Sequence, residues 1–255
     1  MSALDTLELD GKIALVTGAA RGMGYAIAAL LGGRGARVAL NDVRAEDSGR
    51  AAAALERSGV EALSVPGSVI VSDDVRGMME RVRQRFGRLD ILVNNAGVLL
   101  PTRGEAISDE EWDFVVDTNL KGTFLCCREA IPDLRRAGAG RIVNLSSTAG
   151  KSVSTIGGAH YTAAKAGVLG LTRHLARELA CDCITVNAVC PGLIGTEMVR
   201  STIPESRLQA YASSFPIARL GTPAEVAELV AFLASERAAY ITGASLDING
   251  GDLTI

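Results

Sequence analysis

Tyr161 and Lys165 are the two residues of this sequence best placed to do chemistry together. They stand four residues apart at the start of an alanine-rich segment with a helical pattern, a spacing that puts both side chains on one face of a helix. A tyrosine is a weak acid, with a pKa of about 10, but an ammonium about 4 Å away favours its phenolate by about 4 kcal/mol, or roughly three pKa units. The pair therefore predicts a general acid–base tyrosine whose pKa is lowered by the lysine. Taken alone, the spacing fits an exposed helical pair equally well.

A glycine-rich turn near the N-terminus predicts a site for a dinucleotide. Gly18-Ala-Ala-Arg-Gly22-Met-Gly24 follows an apolar run at 12–17 and precedes a helical pattern that begins at Tyr25. Such glycines let a pyrophosphate approach the backbone, and the helix N-terminus stabilises its charge. Because the spacing departs from Gly-x-Gly-x2-Gly, the turn by itself also fits an ordinary strand–turn–helix. Asp42, 18 residues after Gly24, lies near the distance at which a carboxylate receives the adenosine ribose hydroxyls.

Apolar runs and helical patterns alternate along the chain and would position these residues. Alternation of this kind indicates parallel strands with right-handed crossovers. We expect an α/β fold, a single-domain Rossmann-type doubly wound parallel sheet of about seven strands over residues 1–255, with an irregular substrate-loop region at 191–221. The predicted strands lie near 12–17, 37–41, 61–66, 89–93, 140–145, 184–189 and 244–248, and the predicted helices begin at 25 and lie near 45–58, 73–86, 108–136, 161–180 and 223–235.

Composition argues against several classes of protein. The net charge is −3 without any block of like charges, so we expect no nucleic acid and no membrane as a partner. No apolar run approaches the length of about 18 residues that a transmembrane helix needs. The segment 1–10 has a net negative charge and lacks the apolar core of a signal peptide. Both observations favour a cytoplasmic protein. Five cysteines fit a reducing compartment. Cys181-Asp-Cys183 lacks the second ligand pair of a zinc site, so we expect ordinary buried thiols and no metal.

Several motifs together make the sequence similar to the short-chain dehydrogenase/reductase family over almost its whole length. The glycine turn alone is not specific, but the combination is. The matching motifs are Thr17-Gly-x3-Gly-x-Gly24, Asn94-Asn-Ala-Gly97, Asn119 in Asp-Thr-Asn-Leu, Ser147, Tyr161-x3-Lys165, Pro191-Gly192 and Asn249-Gly250-Gly251.

The resemblance implies a catalytic tetrad of Asn119, Ser147, Tyr161 and Lys165. Tyr161 would exchange a proton with the substrate oxygen, and Ser147 would orient that oxygen. Lys165 would lower the tyrosine pKa and hold the nicotinamide ribose, while Asn119 would support a water that links Lys165 to solvent. The cofactor-binding residues that the turn, Asp42 and the resemblance imply are Gly18, Arg21, Gly22, Met23, Gly24, Asp42, Ser68, Val69, Asn95, Ala96, Gly97, Tyr161, Lys165, Pro191, Gly192, Ile194 and Thr196.

Three positions depart from the family pattern. Ser147 stands fourteen residues before Tyr161, whereas thirteen residues are common in the family. Counting thirteen residues back gives Thr148, but the surrounding pattern from Asn144 to Gly150 favours Ser147. The extra residue is then expected in the 151–158 loop. Ser68-Val69 replaces an Asp-Val pair that contacts adenine. Cys190 stands where a small residue is more usual, and we expect it to serve packing.

The leading functional hypothesis is hydride transfer between NAD(H) and a secondary alcohol or ketone. The alternatives are an NADP(H)-dependent 3-oxoacyl thioester reductase and a catalytically silent dinucleotide-binding regulator, against which the intact tetrad argues. Asp42 would repel the 2′-phosphate of NADP, so NAD is the expected cofactor, although Arg21 and Arg44 are counter-signals.

The substrate pocket and the assembly follow from the same resemblance. We expect the pocket among Val98–Leu100, Ser152–Gly158, Leu193 and the 197–215 segment, which would act as a lid through its apolar residues Met198, Ile203, Tyr211 and Phe215. Small or apolar residues on more than one face of the helices at 108–136 and 161–180 predict a homotetramer; those of the second helix are Ala163, Ala166, Gly167 and Gly170.

Overall fold

The sheet confirms the predicted α/β class. The computed structural model describes residues 8–255, so the prediction for the first ten residues lies mostly outside the described part. Within that part, seven strands form one all-parallel sheet in the order β3-β2-β1-β4-β5-β6-β7. The strands are β1 (Ile13–Val16), β2 (Arg37–Leu40), β3 (Ala62–Ser64), β4 (Ile91–Asn94), β5 (Arg141–Leu145), β6 (Thr185–Pro191) and β7 (Ser245–Ile248).

Successive side chains of each strand point to opposite faces of the sheet, and buried side chains lie on both faces. Helices therefore cover both faces, with one hydrophobic core on each side. In β1, Ala14 and Val16 join the core under the first, second and ninth helices, whereas Ile13 and Leu15 join the core under the third, fifth and sixth. The helices are α1 (Gly22–Gly33), α2 (Ala45–Arg57), α3 (Ser72–Phe86), α4 (Asp109–Val116), α5 (Gly122–Ala137), α6 (Ala159–Leu179), α7 (Glu197–Thr202), α8 (Glu205–Ser214) and α9 (Pro223–Ala234).

The strand order reverses between β1 and β4, since the chain winds to β3 on one side and to β7 on the other. At such a switch point the loops that leave neighbouring strands diverge to opposite faces and open a crevice at the carboxyl ends of the strands. The loops after β1, β4, β5 and β6 carry the predicted functional motifs and therefore meet at this edge.

Two predicted elements differ in the structure. The helix predicted at 108–136 is two helices, α4 and α5, separated by a π-helical turn at Asp117–Lys121, in which the Gly122 N–H reaches the Asp117 carbonyl. The predicted irregular region at 191–221 contains α7 and α8. Short polar helices of this kind carry a weak periodic signal, which is why the pattern did not reveal them.

The cysteine prediction is wrong for Cys181 and Cys183. Both are exposed, because they lie in and just after a short 3-10 turn at Ala180–Asp182. Cys190 is buried in β6, as its packing role requires. Among residues 8–255, no helix is both long enough and apolar enough to cross a membrane.

Candidate active site

One cavity of about 490 Å³ occupies the switch-point crevice, and every predicted site residue lines it. The catalytic candidates are on its inner wall, and the glycine turn forms one end. The predicted residues that it brings together are Gly18, Arg21, Gly22, Met23, Gly24, Asp42, Ser68, Val69, Asn95, Ala96, Gly97, Asn119, Ser147, Tyr161, Lys165, Pro191, Gly192, Ile194 and Thr196.

The glycine turn is tied to the end of β4 by a compact set of hydrogen bonds. The Asn95 side-chain amide donates to the Thr17 and Gly18 carbonyls at 3.0 and 2.9 Å, and the Thr17 hydroxyl accepts from the backbone N–H groups of Asn95 and Ala96, both at 3.0 Å. Gly18 has a φ of 60°, and a Cβ there would lie 2.8 Å from the Ala96 Cα. Only glycine therefore fits at this position.

The start of α1 fits the pyrophosphate of a dinucleotide. Its N-cap residue, Arg21, makes no side-chain cap, and the first turn of the helix holds no acidic residue. Gly22 has a φ of 57°, and the space beyond its Cα is open apart from the Thr196 side chain, 3.7 Å from a Cβ built there. Uncapped N–H groups at a helix start bind and stabilise phosphate oxygens.

Asp42 lies where the adenosine ribose is expected, and the two nearby arginines are already paired. The Asp42 carboxylate accepts from the Arg44 backbone N–H at 3.2 Å. The Arg44 guanidinium turns away to Asp47, and this hydrogen bond raises the pKa of Arg44. Arg21 pairs with Glu197 at 3.3 Å. Both positive charges near the ribose end are therefore matched by carboxylates.

Ser68 and Val69, which replace the family's usual pair, line the cavity at the end where the adenine is expected. The Ser68 backbone N–H donates to Asp74 on α3 at 2.8 Å. Val69 is buried against Gly122, where a Cβ would lie 2.7 Å from a Val69 methyl. The backbone here is held by α3 and α5, and the half-buried Ser68 lines the cavity.

Tyr161, Ser147 and Lys165 converge on the middle of the cavity, but their electrostatics differ from the sequence-based prediction. Burial raises the pKa of Tyr161, and only its hydrogen bond with Ser147 opposes that rise. Burial lowers the pKa of Lys165 to about 8. The Lys165 ammonium lies 5.7 Å from the Tyr161 ring centre and donates to the Leu145 carbonyl at 2.8 Å. The predicted lowering of the tyrosine pKa by this lysine is wrong for the protein by itself, because desolvation dominates.

The π-helical turn places Asn119 beside Lys165. The Asn119 amide donates to the Val98 and Val115 carbonyls at 2.8 and 2.9 Å, while its Oδ1 is buried without a hydrogen-bond partner within residues 8–255. A Cβ at Gly97 would lie 2.6 Å from that oxygen and 3.6 Å from the Lys165 ammonium. A buried acceptor of this kind calls for a polar partner, and a water is the simplest one.

Buried polar contacts fix α6 against the end of β5. The Ser146 hydroxyl donates to the Lys165 carbonyl at 2.8 Å. The Asn144 amide donates to the Thr172 hydroxyl and its oxygen accepts from the Asn94 amide, both at 2.9 Å. These contacts hold α6 at its second and fourth turns, so the helix that carries Tyr161 and Lys165 is anchored to the core of the protein.

The predicted nicotinamide side is shaped by the chain after β6. Gly195 N–H donates to the Gly221 carbonyl at 2.9 Å, and Gly221 N–H donates to the Leu193 carbonyl at 3.1 Å. The Thr196 hydroxyl caps α7 by accepting from the Val199 N–H at 3.3 Å. Burial raises the pKa of the Cys190 thiol to about 11, so this residue stays neutral and packs.

The substrate side of the cavity matches the predicted segments in part. Val98, Leu99, Leu193 and 153–156 line it, and so do three of the four apolar residues predicted for the lid, Met198, Tyr211 and Phe215. The fourth, Ile203, lines a second, smaller cavity instead, together with Gly157 and Gly158.

His160 and Glu111 are residues near the site that the sequence reasoning missed. His160 is fully buried; its Nδ1 accepts from the Tyr161 N–H at 2.8 Å and its Nε2 is 2.9 Å from a Glu111 carboxylate oxygen. The Ser108 hydroxyl accepts from the Glu111 N–H at 3.2 Å, but the glutamate side chain bonds to the histidine. The only signal in the sequence is the position of a histidine directly before Tyr161.

Comparisons with known proteins agree with this geometry. The family model described as Enoyl-(Acyl carrier protein) reductase matches residues 18–252. The 3-oxoacyl-[acyl-carrier-protein] reductase FabG of Staphylococcus aureus is 44% identical over 241 residues, which cover 94% of this chain and 97% of that protein. Among solved structures, a 3-oxoacyl-[acyl-carrier protein] reductase from Brucella melitensis has a TM-score of 0.90 at 37% identity, covering 97% of this chain and 93% of the other. A Brucella melitensis reductase of the same description with bound NAD has a TM-score of 0.89 at 35% identity, with the same coverage.

Proposed function

The chain belongs to the short-chain dehydrogenase/reductase family and is an oxidoreductase, and we propose that it transfers hydride between NAD(H) and the 3-oxo group of an acyl thioester. The observation that carries this proposal is the site itself: Ser147, Tyr161 and Lys165 lie together on the wall of a cavity that also reaches Asp42. The substrate class comes from the names of the relatives, which favour the thioester alternative over a simple secondary alcohol. A 3-oxoacyl group is itself a ketone, so the reaction type of the leading hypothesis is retained.

Tyr161 acts as the proton donor in the direction of reduction. Its raised pKa keeps the hydroxyl protonated at neutral pH, which is the form that an acid requires. Charge develops on the substrate oxygen as the carbonyl is reduced, and the hydroxyls of Ser147 and Tyr161 stabilise it. A bound nicotinamide supplies the hydride itself.

Lys165 and Asn119 support that proton transfer. With a pKa of about 8, Lys165 is mostly protonated at neutral pH and stabilises the developing tyrosinate. The residues that would hold the dinucleotide are the glycine turn, Asp42 and the 191–196 segment. The buried Asn119 oxygen has no hydrogen-bond partner within residues 8–255, and it would accept from the water that carries the proton from Lys165 towards solvent.

The pairing of the arginines supports NAD over NADP. Asp42 lines the ribose end of the cavity with a carboxylate, which accepts hydrogen bonds from ribose hydroxyls and repels a 2′-phosphate. Arg21 and Arg44 would each have to exchange a carboxylate for that phosphate; exposed pairs of this kind open at little cost, so Asp42 is the main determinant. The bound NAD named in one Brucella structure is consistent with this choice.

The direct test is a comparison of substrates and cofactors. The acetoacetyl thioester of N-acetylcysteamine should oxidise NADH faster than NADPH, followed by absorbance, and simple ketones should react more slowly. A crotonyl thioester, the substrate class of an enoyl reductase, should not react. If only simple ketones are turned over, the protein is a secondary alcohol dehydrogenase. If no carbonyl compound is turned over, the catalytically silent regulator is favoured.

A homotetramer and a cytoplasmic location remain part of the proposal. Trp112 and Phe114 on α4 and Phe124 on α5 are 41 to 47% exposed, and Ala163 and Ala166 on α6 are exposed. Apolar surface of this kind is typical of a subunit interface. Light scattering at micromolar protein should give four times the mass of the chain; a monomer mass would contradict the tetramer.

A further inference from the structure

A second cavity of about 340 Å³ lies next to the catalytic one, on the far side of the loop that follows Ser147. The two cavities share Thr155 and Ile156 in their linings. The shared residues belong to the 151–158 loop, which carries one residue more than the usual spacing before Tyr161. The lining of the second cavity is Pro101, Thr102, Arg103, Gly104, Thr155, Ile156, Gly157, Gly158, Ala159, Ile203 and Arg207.

The floor of this second cavity is fixed by backbone contacts between two loops. The Gly158 N–H donates to the Leu100 carbonyl at 2.8 Å. A Cβ at Gly158 would lie 2.6 Å from the Thr102 carbonyl oxygen and 2.7 Å from the His160 ring. The two loops therefore approach as closely as glycine permits, and the cavity has a defined shape directly before the turn of α6 that carries Tyr161.

The two charged residues that line the second cavity, Arg103 and Arg207, are both basic. One Arg207 Nη donates to the Thr155 carbonyl at 3.4 Å and lies 3.3 Å from the Tyr211 hydroxyl. No carboxylate within residues 8–255 forms an ion pair with Arg207, in contrast to Arg21 and Arg44. Arg103 pairs with Glu105, but their side chains are 84 and 68% exposed, and an exposed pair of this kind opens at little cost.

We propose that the second cavity binds the phosphate of the carrier arm of a thioester substrate, with Arg207 and Arg103 as the phosphate ligands. Of the residues described, those that line this cavity hold two guanidinium groups and no carboxylate. Once the exposed pair of Arg103 with Glu105 opens, both groups favour an anion, and phosphate matches the planar fork of arginine. The acyl group would occupy the first cavity and the arm would pass over the Thr155–Ile156 wall. This inference rests on the proposed thioester substrate and adds to it a site that recognises the arm.

The test uses two substrates that differ only by that phosphate, acetoacetyl-pantetheine and acetoacetyl-4′-phosphopantetheine. The wild-type KM should be about tenfold lower for the phosphorylated substrate, the effect of one charge-assisted hydrogen bond. In the double variant Arg103→Gln, Arg207→Gln the ratio of the two KM values should fall to about one. Arg207→Lys should keep part of the ratio, and high salt should reduce it in the wild type.

Controls separate the charge of Arg207 from its structural contacts. Tyr211→Phe removes a neighbour of the guanidinium without removing the charge and should preserve the KM ratio. Arg57→Gln, at the exposed end of α2, removes one positive charge far from both cavities and should also preserve it. Equal KM values in the wild type, or an unchanged ratio in the double variant, would overturn the phosphate site alone. Absence of turnover with both thioesters would overturn the proposed function and this site with it, whereas turnover of the phosphorylated thioester alone would support the site.

Discussion

The ribose end of the catalytic cavity and the neighbouring second cavity treat positive charge in opposite ways. At the ribose end, the guanidinium groups of Arg21 and Arg44 are each paired with a carboxylate. In the second cavity, beside the substrate end, Arg207 contacts a carbonyl and a hydroxyl but no carboxylate within residues 8–255. A 2′-phosphate at the ribose end would compete with Glu197 and Asp47 for the two arginines, whereas the second cavity offers Arg207, which has no paired carboxylate in the described part of the chain. We therefore expect the existing ion pairs to contribute to selectivity at both places, with Asp42 as the main determinant at the ribose end.

The two ends also differ in how they are built. The dinucleotide end consists of short motifs held by close backbone contacts, such as Gly18 against Ala96. The substrate end is formed by α7, α8 and the 151–158 loop, where Val153 and Met198 are 72 and 44% exposed. Exposed segments with few buried contacts open more easily than the core. We therefore expect the first end to be preformed and the second to adjust to its substrate.

Removing the acid between the two ends should have the largest effect. Tyr161→Phe leaves both ends intact, because Ser147 and Lys165 keep their backbone anchors, but removes the proton. We expect kcat to fall by at least about 10²-fold to 10⁴-fold, with the Kd for NADH, measured by fluorescence, changed less than about threefold. Retention of more than about a tenth of the wild-type kcat would show that another group is the acid.

The preference for NAD over NADP should be reversible by removing the carboxylates at the ribose end. Asp42→Ala should lower the preference for NAD over NADP, measured as the ratio of kcat/KM values, by about 10²-fold, since the repulsion of the 2′-phosphate is lost. Asp42→Ala combined with Asp47→Asn should shift the ratio further towards NADP, because it also frees Arg44. Asp47→Asn alone frees Arg44 but keeps Asp42, and it should shift the ratio towards NADP by less than Asp42→Ala does. A wild-type enzyme that works better with NADP would show that the paired arginines do not decide the choice.

The sequence predicted the sheet and the dinucleotide end well because both depend on local patterns. Each of the seven strands is a short apolar run, and the residues of the glycine turn and of Asn94-Asn-Ala-Gly97 are neighbours in the chain. Their meeting at one edge follows from parallel topology. The roles assigned to the individual site residues stay predictions, since the structure shows where those residues lie and what they touch.

What the sequence did not predict depends on tertiary surroundings. The π-helical turn around Asn119 is a single extra residue in a helix, which hardly changes the periodic pattern. The pKa of Tyr161 is raised by burial. The spacing of Tyr161 and Lys165 in the sequence does not show how buried the tyrosine is, so it could not predict this shift. The contact between His160 and Glu111 joins residues 49 positions apart, and no local pattern encodes it.

The burial of Lys165 can be tested by measuring how the free energy of unfolding depends on pH. Burial lowers the lysine pKa from 10.5 to about 8, so between those pH values the unfolded state binds more protons than the folded state. The free energy of unfolding should therefore rise with pH across this window. Lys165→Met removes the buried charge and should be more stable than the wild type at pH 7 by about 1–2 kcal/mol, after allowance for the lost hydrogen bond.

The measurement is urea unfolding of wild type and Lys165→Met without dinucleotide, between pH 7 and about pH 10. The difference in unfolding free energy should shrink as the pH rises, because the wild-type lysine loses its charge in the folded state. A difference that stays constant over this range would mean that Lys165 is not desolvated as the structure implies.

The smallest effect is expected from His160, which supports Tyr161 without touching the substrate cavity. Its Nδ1 accepts the Tyr161 N–H, but the same N–H also reaches the Gly158 carbonyl at 3.1 Å, so the loss of one acceptor is partly offset by the other. His160→Ala should therefore lower kcat only about tenfold and leave the Kd for NADH unchanged. His160→Asn keeps an acceptor near the position of Nδ1 and should recover most of that loss, whereas Glu111→Gln should resemble the wild type in kcat. Equal kcat values for His160→Ala and the wild type would show that the core contacts of α6 alone hold the tyrosine. Equal losses for the Ala and Asn variants would point instead to the contact with Glu111.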